Sequence, residues 1–154
     1  MKVTFENLWK CHPSKWDKPD NTPCQNKDGE PTFAHQCAIR MGVCLTKAGF
    51  NLSSVNIVRC WFHNKNENHF LRAEELAKGL ESYPDLNSKV EKKKKKDNVK
   101  AENYKGRKGI VYFQNFWGDG NQGDHIDLWN GEEQCRGEDE FFENAEQVWF
   151  WELH

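Results

Sequence analysis

No stretch of this 154-residue chain holds the roughly 18 consecutive apolar residues that a membrane-spanning helix needs. The N-terminus, MKVTFENLWKCHPSKW, lacks the unbroken apolar core of a cleavable export signal. If the protein leaves its cell, a route without a signal peptide is expected. Charge of one sign is also lacking: 22 Lys and Arg face 24 Asp and Glu, a net of −2. That balance gives no net pull toward nucleic acid or an anionic membrane. No two cysteines have the C-x-x-C spacing, which argues against a zinc ribbon or finger. No repeat with a period of about 20–50 residues is visible, so a solenoid is not expected.

What is present fits one domain, 1–154, since domains usually run about 100–150 residues. Hydrophobic residues are only 36%, yet 7 Trp and 10 Phe supply large rings. Each buries about 150–250 Å², so a packed core is expected rather than disorder. The six cysteines permit up to three disulfides, with no connectivity readable from spacing. The plainer reading makes most of them small buried hydrophobes.

Along the chain, Phe5, Leu8 and Trp9 have helical spacing. Residues 11–36 hold four of the five prolines and read as loop. CAIRMGVCLTKAG predicts a buried helix from Cys37, with Gly49 where a C-cap glycine sits. Val55–Phe62 reads as a strand or buried extended segment, and Phe70–Leu80 as a second helix. Residues 84–105, with five lysines at 92–96, read as a mobile insertion. The run is a solvated loop or, less simply, a basic arm for an anionic polymer. GIVYF, HIDLW and VWFWEL then predict strands, and Asn130-Gly131 a hairpin turn. Helices followed by an antiparallel sheet make the fold class α+β.

A cysteine opening a helix, with a histidine on a distant strand, is the sequence form of a cysteine hydrolase. A helix N-terminus carries roughly half a positive charge, which favours thiolate over thiol at Cys37. Its free N–H groups can donate to an oxyanion. Cys44 lies two turns on and gains little from that field. His125 is the best base, because it follows the glycine-rich loop Gly118–Gly123. A third polar group must hold the imidazole, and the acids beyond the turn are Glu138 and Asp139. His35, Gln36, Arg40, Trp117 and Asp124 are placed to line the same cleft. Arg40 fits either a structural ion pair or a clamp for a substrate carboxylate. His12 reads as solvated, and His63 and His69 offer at best a weak metal site.

AHQCAIRMGVCLTKAGF, followed by YKGRKGIVYFQNFWGDGNQGDHIDLWNG, resembles the amidase effectors of type VI secretion, family four. The shared blocks are Cys-x-Ile-Arg-Met, Gly-Arg-Lys-Gly-Ile and Gly-x-His-x-x-Leu-Trp-Asn-Gly. They anchor residues from about 33 to 131, and the terminal VWFWEL also fits. The resemblance implies a papain-like, NlpC-type fold and an antibacterial cell-wall amidase. It makes Cys37 the nucleophile and His125 the base. The third member is an aspartate shortly after Leu-Trp-Asn-Gly; Asp139 is chosen, with Glu138 next. Asp127 ranks last because it lies two residues from His125 on one strand. The lysine-rich insertion departs from the family pattern.

The implied reaction is hydrolysis of the bond between the γ-carboxyl of D-glutamate and meso-diaminopimelate in the peptidoglycan stem. It needs no metal and no organic cofactor. Implied partners are the peptide stem, a cognate immunity protein and a component of the secretion apparatus, with no nucleic acid and no membrane. The implied site of action is the periplasm of a target bacterium. Competing readings are a phage or self-encoded wall hydrolase, a non-catalytic wall- or protein-binding module, and a disulfide-rich binding protein.

Overall fold

The structure, a computed structural model, describes residues 4–33, 35–53, 55–83, 86, 88–115 and 123–154. Helix α1 (Phe5–Cys11) is capped by Thr4, whose hydroxyl accepts the Asn7 N–H at 3.2 Å. Its Phe5, Leu8 and Cys11 turn inward. Helix α2 (Cys37–Lys47) buries Ala38, Ile39, Met41, Gly42, Cys44 and Leu45. It ends where Gly49 takes φ 106°. The Gly49 N–H then reaches the Thr46 carbonyl and the Phe50 N–H the Leu45 carbonyl, both at 3.1 Å. Those two bonds satisfy carbonyls that the last turn leaves open. Helix α3 spans Ala73–Glu81, and the single-turn α4 spans Phe141–Asn144.

Four strands form one antiparallel sheet: β1 (Glu91–Lys94), β2 (Gly109–Gln114), β3 (His125–Trp129) and β4 (Gln147–Glu152). Their order is β1-β4-β2-β3, so β3 is an edge strand, and helix α2 packs against it. One face carries Ile110, Tyr112, Ile126, Leu128, Trp149 and Trp151 against the helices. The other carries Val111, Phe113, Trp129, Val148 and Phe150 against Tyr104 and Phe142. Both faces are covered, so β2 reads as a near-continuous apolar run. The α+β class is as expected from the sequence. Among the described residues, no helix is long and apolar enough to cross a membrane.

Three local expectations need correction. The lysine run is not a loose insertion: β1 pairs with β4, Glu91 opposite Phe150 and Lys94 opposite Gln147. An edge strand needs only one ladder, and edge lysines deter pairing with other chains. Their ammonium groups also sit over rings, with Lys92 Nζ 4.0 Å from the Trp149 centroid and Lys93 Nζ 5.9 Å from that of Tyr104. Residues 55–62 form no strand beyond the single bridge Arg59–Phe70. The Arg59 guanidinium gathers the carbonyls of Leu52, Val55 and Ile57 at 2.8, 3.2 and 3.1 Å, curling that backbone around itself. Phe70 is tied into the bridge, so α3 starts at Ala73 rather than at Phe70.

Gly42 fixes how closely α2 meets the chain at 68–70. A Cβ there would lie 2.0 Å from the Asn68 carbonyl oxygen and 2.8 Å from Phe70 Cδ2. Gly42→Ala should therefore cost about 1–3 kcal/mol in urea unfolding. A change within about 0.5 kcal/mol, the range of neutral surface substitutions, would contradict the close packing.

Candidate active site

Cys37 is the first residue of α2 and is partly exposed. Its Sγ lies 3.7 Å from the Asp124 carbonyl oxygen, at the start of β3. Burial pushes the thiol up. The hydrogen bond and charge of His125, the Ile126 N–H and the charge of Arg40 oppose this and bring the net pKa below the ordinary value.

His125 is buried, with its ring stacked at 19° on Phe113 and edge-on to Phe141 at 5.3 Å. Its Nε2 lies 2.9 Å from Asp127 Oδ2. With Nε2 engaged by the carboxylate, Nδ1 is the nitrogen left for the sulfur. Burial alone would lower this histidine. The hydrogen bonds and charges of Asp127 and Cys37 win and raise it to about 9. Both shifts run in the direction that favours a thiolate–imidazolium pair.

Asp127, not Asp139, holds His125. The correction follows from strand geometry: residues i and i+2 project from the same side, roughly 7 Å apart along the strand. An imidazole and a carboxylate bridge that gap, so sharing a strand is no obstacle. Asp127 Oδ2 also accepts the Arg136 N–H at 2.8 Å, and Oδ1 accepts the Leu128 N–H at 2.7 Å. Burial pushes Asp127 up, but the hydrogen bond and charge of His125 lead the opposing interactions and hold it below the carboxylate range. The Asn130-Gly131 turn thus returns a backbone donor to Asp127 instead of an acid to His125. Asp139 and Glu138 are exposed, beside Glu140 and Glu143. Their carbonyls accept the Phe142 and Phe141 N–H groups at 3.2 and 3.1 Å.

His12 gives no usable signal in the sequence and is not solvated. It is 1% exposed, with Nε2 3.7 Å from Asp127 Oδ1. Its Nδ1 lies 3.2 Å from the Ser14 N–H donor and 2.7 Å from Ser14 Oγ. Burial lowers its pKa to about 4, so it is neutral beside the carboxylate.

The remaining expected contacts divide. Gln36 is not free for substrate: Oε1 accepts the Cys24 N–H at 3.0 Å, and Nε2 donates to the Cys24 and Phe33 carbonyls at 2.9 and 3.1 Å. The Asp124 carboxylate accepts from Tyr112 Oη at 2.7 Å and from the Asn115 N–H at 2.9 Å, so it ties the end of β2 to the start of β3. Arg40 donates to the Asn21 carbonyl at 2.6 Å. His35 is exposed, two residues before Cys37. Trp117 and the glycine-rich stretch 118–122 lie outside the described residues. Sequence reading misses an exposed apolar patch in which Trp61 and Phe62 stand beside Phe33.

Residues 33–151 match the family model of Tae4, the type VI secretion system amidase effector protein 4. The chain belongs to that family. Its fold is similar to Tae4 from Enterobacter cloacae, at 17% identity and TM-score 0.74, covering 100% of this chain and 98% of that one. It is also similar to the Tae4–Tai4 effector–immunity complex from Salmonella Typhimurium, at 19% identity and TM-score 0.73 over 100% of both chains. Tae4 from Salmonella typhimurium bound to the immunity protein Tai4 from Enterobacter cloacae gives 19% and 0.71, covering 99% and 100%. No curated protein matches significantly. Identities this low speak to fold alone, and family membership makes the chain an amidase effector of type VI secretion.

The site predicts selective alkylation. Iodoacetamide at neutral pH should modify Cys37 at least about tenfold faster than the other five cysteines, read by peptide mass spectrometry. Asp127→Asn removes the charge that holds His125 protonated, so the midpoint of Cys37 reactivity should move to higher pH. Asp139→Asn should leave it in place. Equal shifts in both variants would contradict the assignment of Asp127.

Proposed function

We propose that this chain is a cysteine amidase of papain-like, NlpC-type architecture. Its substrate is the peptide stem of bacterial peptidoglycan, and it cuts the γ-D-glutamyl–meso-diaminopimelate bond. One observation carries the cysteine mechanism: a single buried imidazole bonds both the helix-start thiol and a buried carboxylate. Membership in an amidase effector family supports the substrate class.

Cys37 thiolate attacks the scissile carbonyl carbon, and the carbonyl electrons move onto oxygen. The free N–H groups at the start of α2 receive that oxyanion. The tetrahedral intermediate collapses as the imidazolium of His125 gives its proton to the departing amine. A thioester and a neutral His125 remain. His125 then takes a proton from water as the water attacks the thioester. Collapse releases the carboxylic acid and restores the thiolate–imidazolium pair. Asp127 orients the ring and stabilises its charged form throughout, without itself taking a proton.

Delivery by a type VI apparatus, through contact with one of its components, would bring the chain to the periplasm of a rival. The complexes of related effectors with Tai4 support a cognate immunity protein that covers this cleft.

Digestion of diaminopimelate-type peptidoglycan, with products identified by mass spectrometry, tests the reading. Wild type should release D-glutamate-terminated fragments. Cys37→Ala and His125→Ala should lose at least about 1,000-fold in rate. Cys37→Ala should melt within a few degrees of wild type. Cleavage by Cys37→Ala at a comparable rate, or cleavage at another bond, would sink the proposal.

A further inference from the structure

Away from the cleft, Cys24, Cys60, His63 and His69 converge from separate segments of the chain. One ligand atom from each lies within 4.8 Å of those of the other three. Cys24 Sγ and Cys60 Sγ are 3.4 Å apart. His63 Nδ1 is 3.1 Å from Cys60 Sγ and 3.6 Å from Cys24 Sγ. The His63 and His69 rings are 4.4 Å apart. A tetrahedral Zn²⁺ with bonds of about 2.3 Å to sulfur and 2.0–2.1 Å to nitrogen needs S–S edges near ~3.8 Å and S–N edges near ~3.5 Å. Cys24, Cys60 and His63 stand within a few tenths of an ångström of those figures, and the His69 ligand atom lies within 4.8 Å of all three.

Core packing alone accounts poorly for the cluster. His69 is buried, and its Nδ1 has no hydrogen-bond partner, a costly arrangement for a polar atom. Each sulfur already accepts a hydrogen bond, Cys24 from Thr32 Oγ1 at 2.8 Å and Cys60 from the Phe62 N–H at 3.3 Å. Donors aimed at sulfur are what supports a thiolate ligand. A disulfide is a weaker explanation: 3.4 Å far exceeds the S–S bond of about 2.05 Å, and a disulfide would leave the imidazoles unanswered.

We propose that Cys24, Cys60, His63 and His69 bind one structural Zn²⁺. Binding releases the two thiol protons, so the Cys₂His₂–Zn²⁺ unit is neutral. Thiolate and imidazole donors select zinc over magnesium or calcium. Four protein ligands complete the tetrahedron and leave no open position, which makes the role structural. The ion would pin two loops against the nucleophile helix. Cys24 is held through its main chain by Gln36, the residue before Cys37. Asn68, beside His69, donates to Thr46 Oγ1 on α2 at 2.8 Å.

The test uses the full chain, untagged and purified with zinc present. Elemental analysis should find about one Zn²⁺ per chain in wild type and in Cys37→Ala. Cys60→Ser and His63→Ala should each weaken binding more than about tenfold. Co²⁺ alone, added to metal-free wild type, should give thiolate charge-transfer and tetrahedral d–d bands, a readout that needs no substitution. Chelation should lower the wild-type melting temperature. Absence of zinc, loss of zinc in Cys37→Ala, or cobalt spectra without thiolate character would overturn the proposal. So would a Cys24–Cys60 disulfide, seen as four rather than six thiols in chelated, unfolded protein.

Discussion

Everything around the candidate site depends on one constraint: the buried His125 and Asp127 must meet the partly exposed Cys37 without leaving an unpaired charge. Burying His125 and Asp127 separately would be strongly unfavourable. Together they satisfy one another, and backbone N–H groups of Leu128 and Arg136 complete the carboxylate. That arrangement demands that the first turn of α2 abut the edge strand β3. Gly42 permits the close approach of α2 to residues 68–70, and Phe113 and Phe141 wall the imidazole from water. The neutral His12 faces Asp127 without competing for its charge.

The parts of this site that are legible in the sequence are those with a local signal. Helix α2 announces itself by its apolar spacing and by Gly49, so Cys37 can be found at its start. Strand β3 shows alternation, which places His125 beside Asp127 on one face. The sequence misleads on the third residue, because the acids beyond the turn look better placed than a neighbour on the same strand. Hydrogen-bond reach between i and i+2 on a strand is easily undervalued, and a turn returning a backbone N–H has no sequence signature. His12 and Gln36 mislead because burial of a loop residue is a tertiary fact. The lysine run looks like a loop because edge strands tolerate composition that central strands do not. The 55–62 segment has strand-like residues, but the Arg59 guanidinium, which no periodicity reveals, bends its carbonyls inward. His63 and His69 are legible in the sequence as at best a weak metal site; only the fold brings the distant Cys24 to them and to Cys60.

Identity of 17–20% with solved Tae4 structures, alongside full coverage, means the architecture survives where most side chains differ. Fold alone does not assign chemistry. The reaction therefore rests on this chain's own geometry, in which helix start, imidazole and carboxylate form one hydrogen-bonded line.

The most direct test of that line is the ring titration of His125, followed by nitrogen NMR of the wild-type protein. The account predicts an imidazolium at neutral pH that titrates at about 9, with a lower midpoint when Cys37 becomes Ala. A wild-type midpoint near the ordinary ~6.5, unmoved by loss of the thiol, would contradict it.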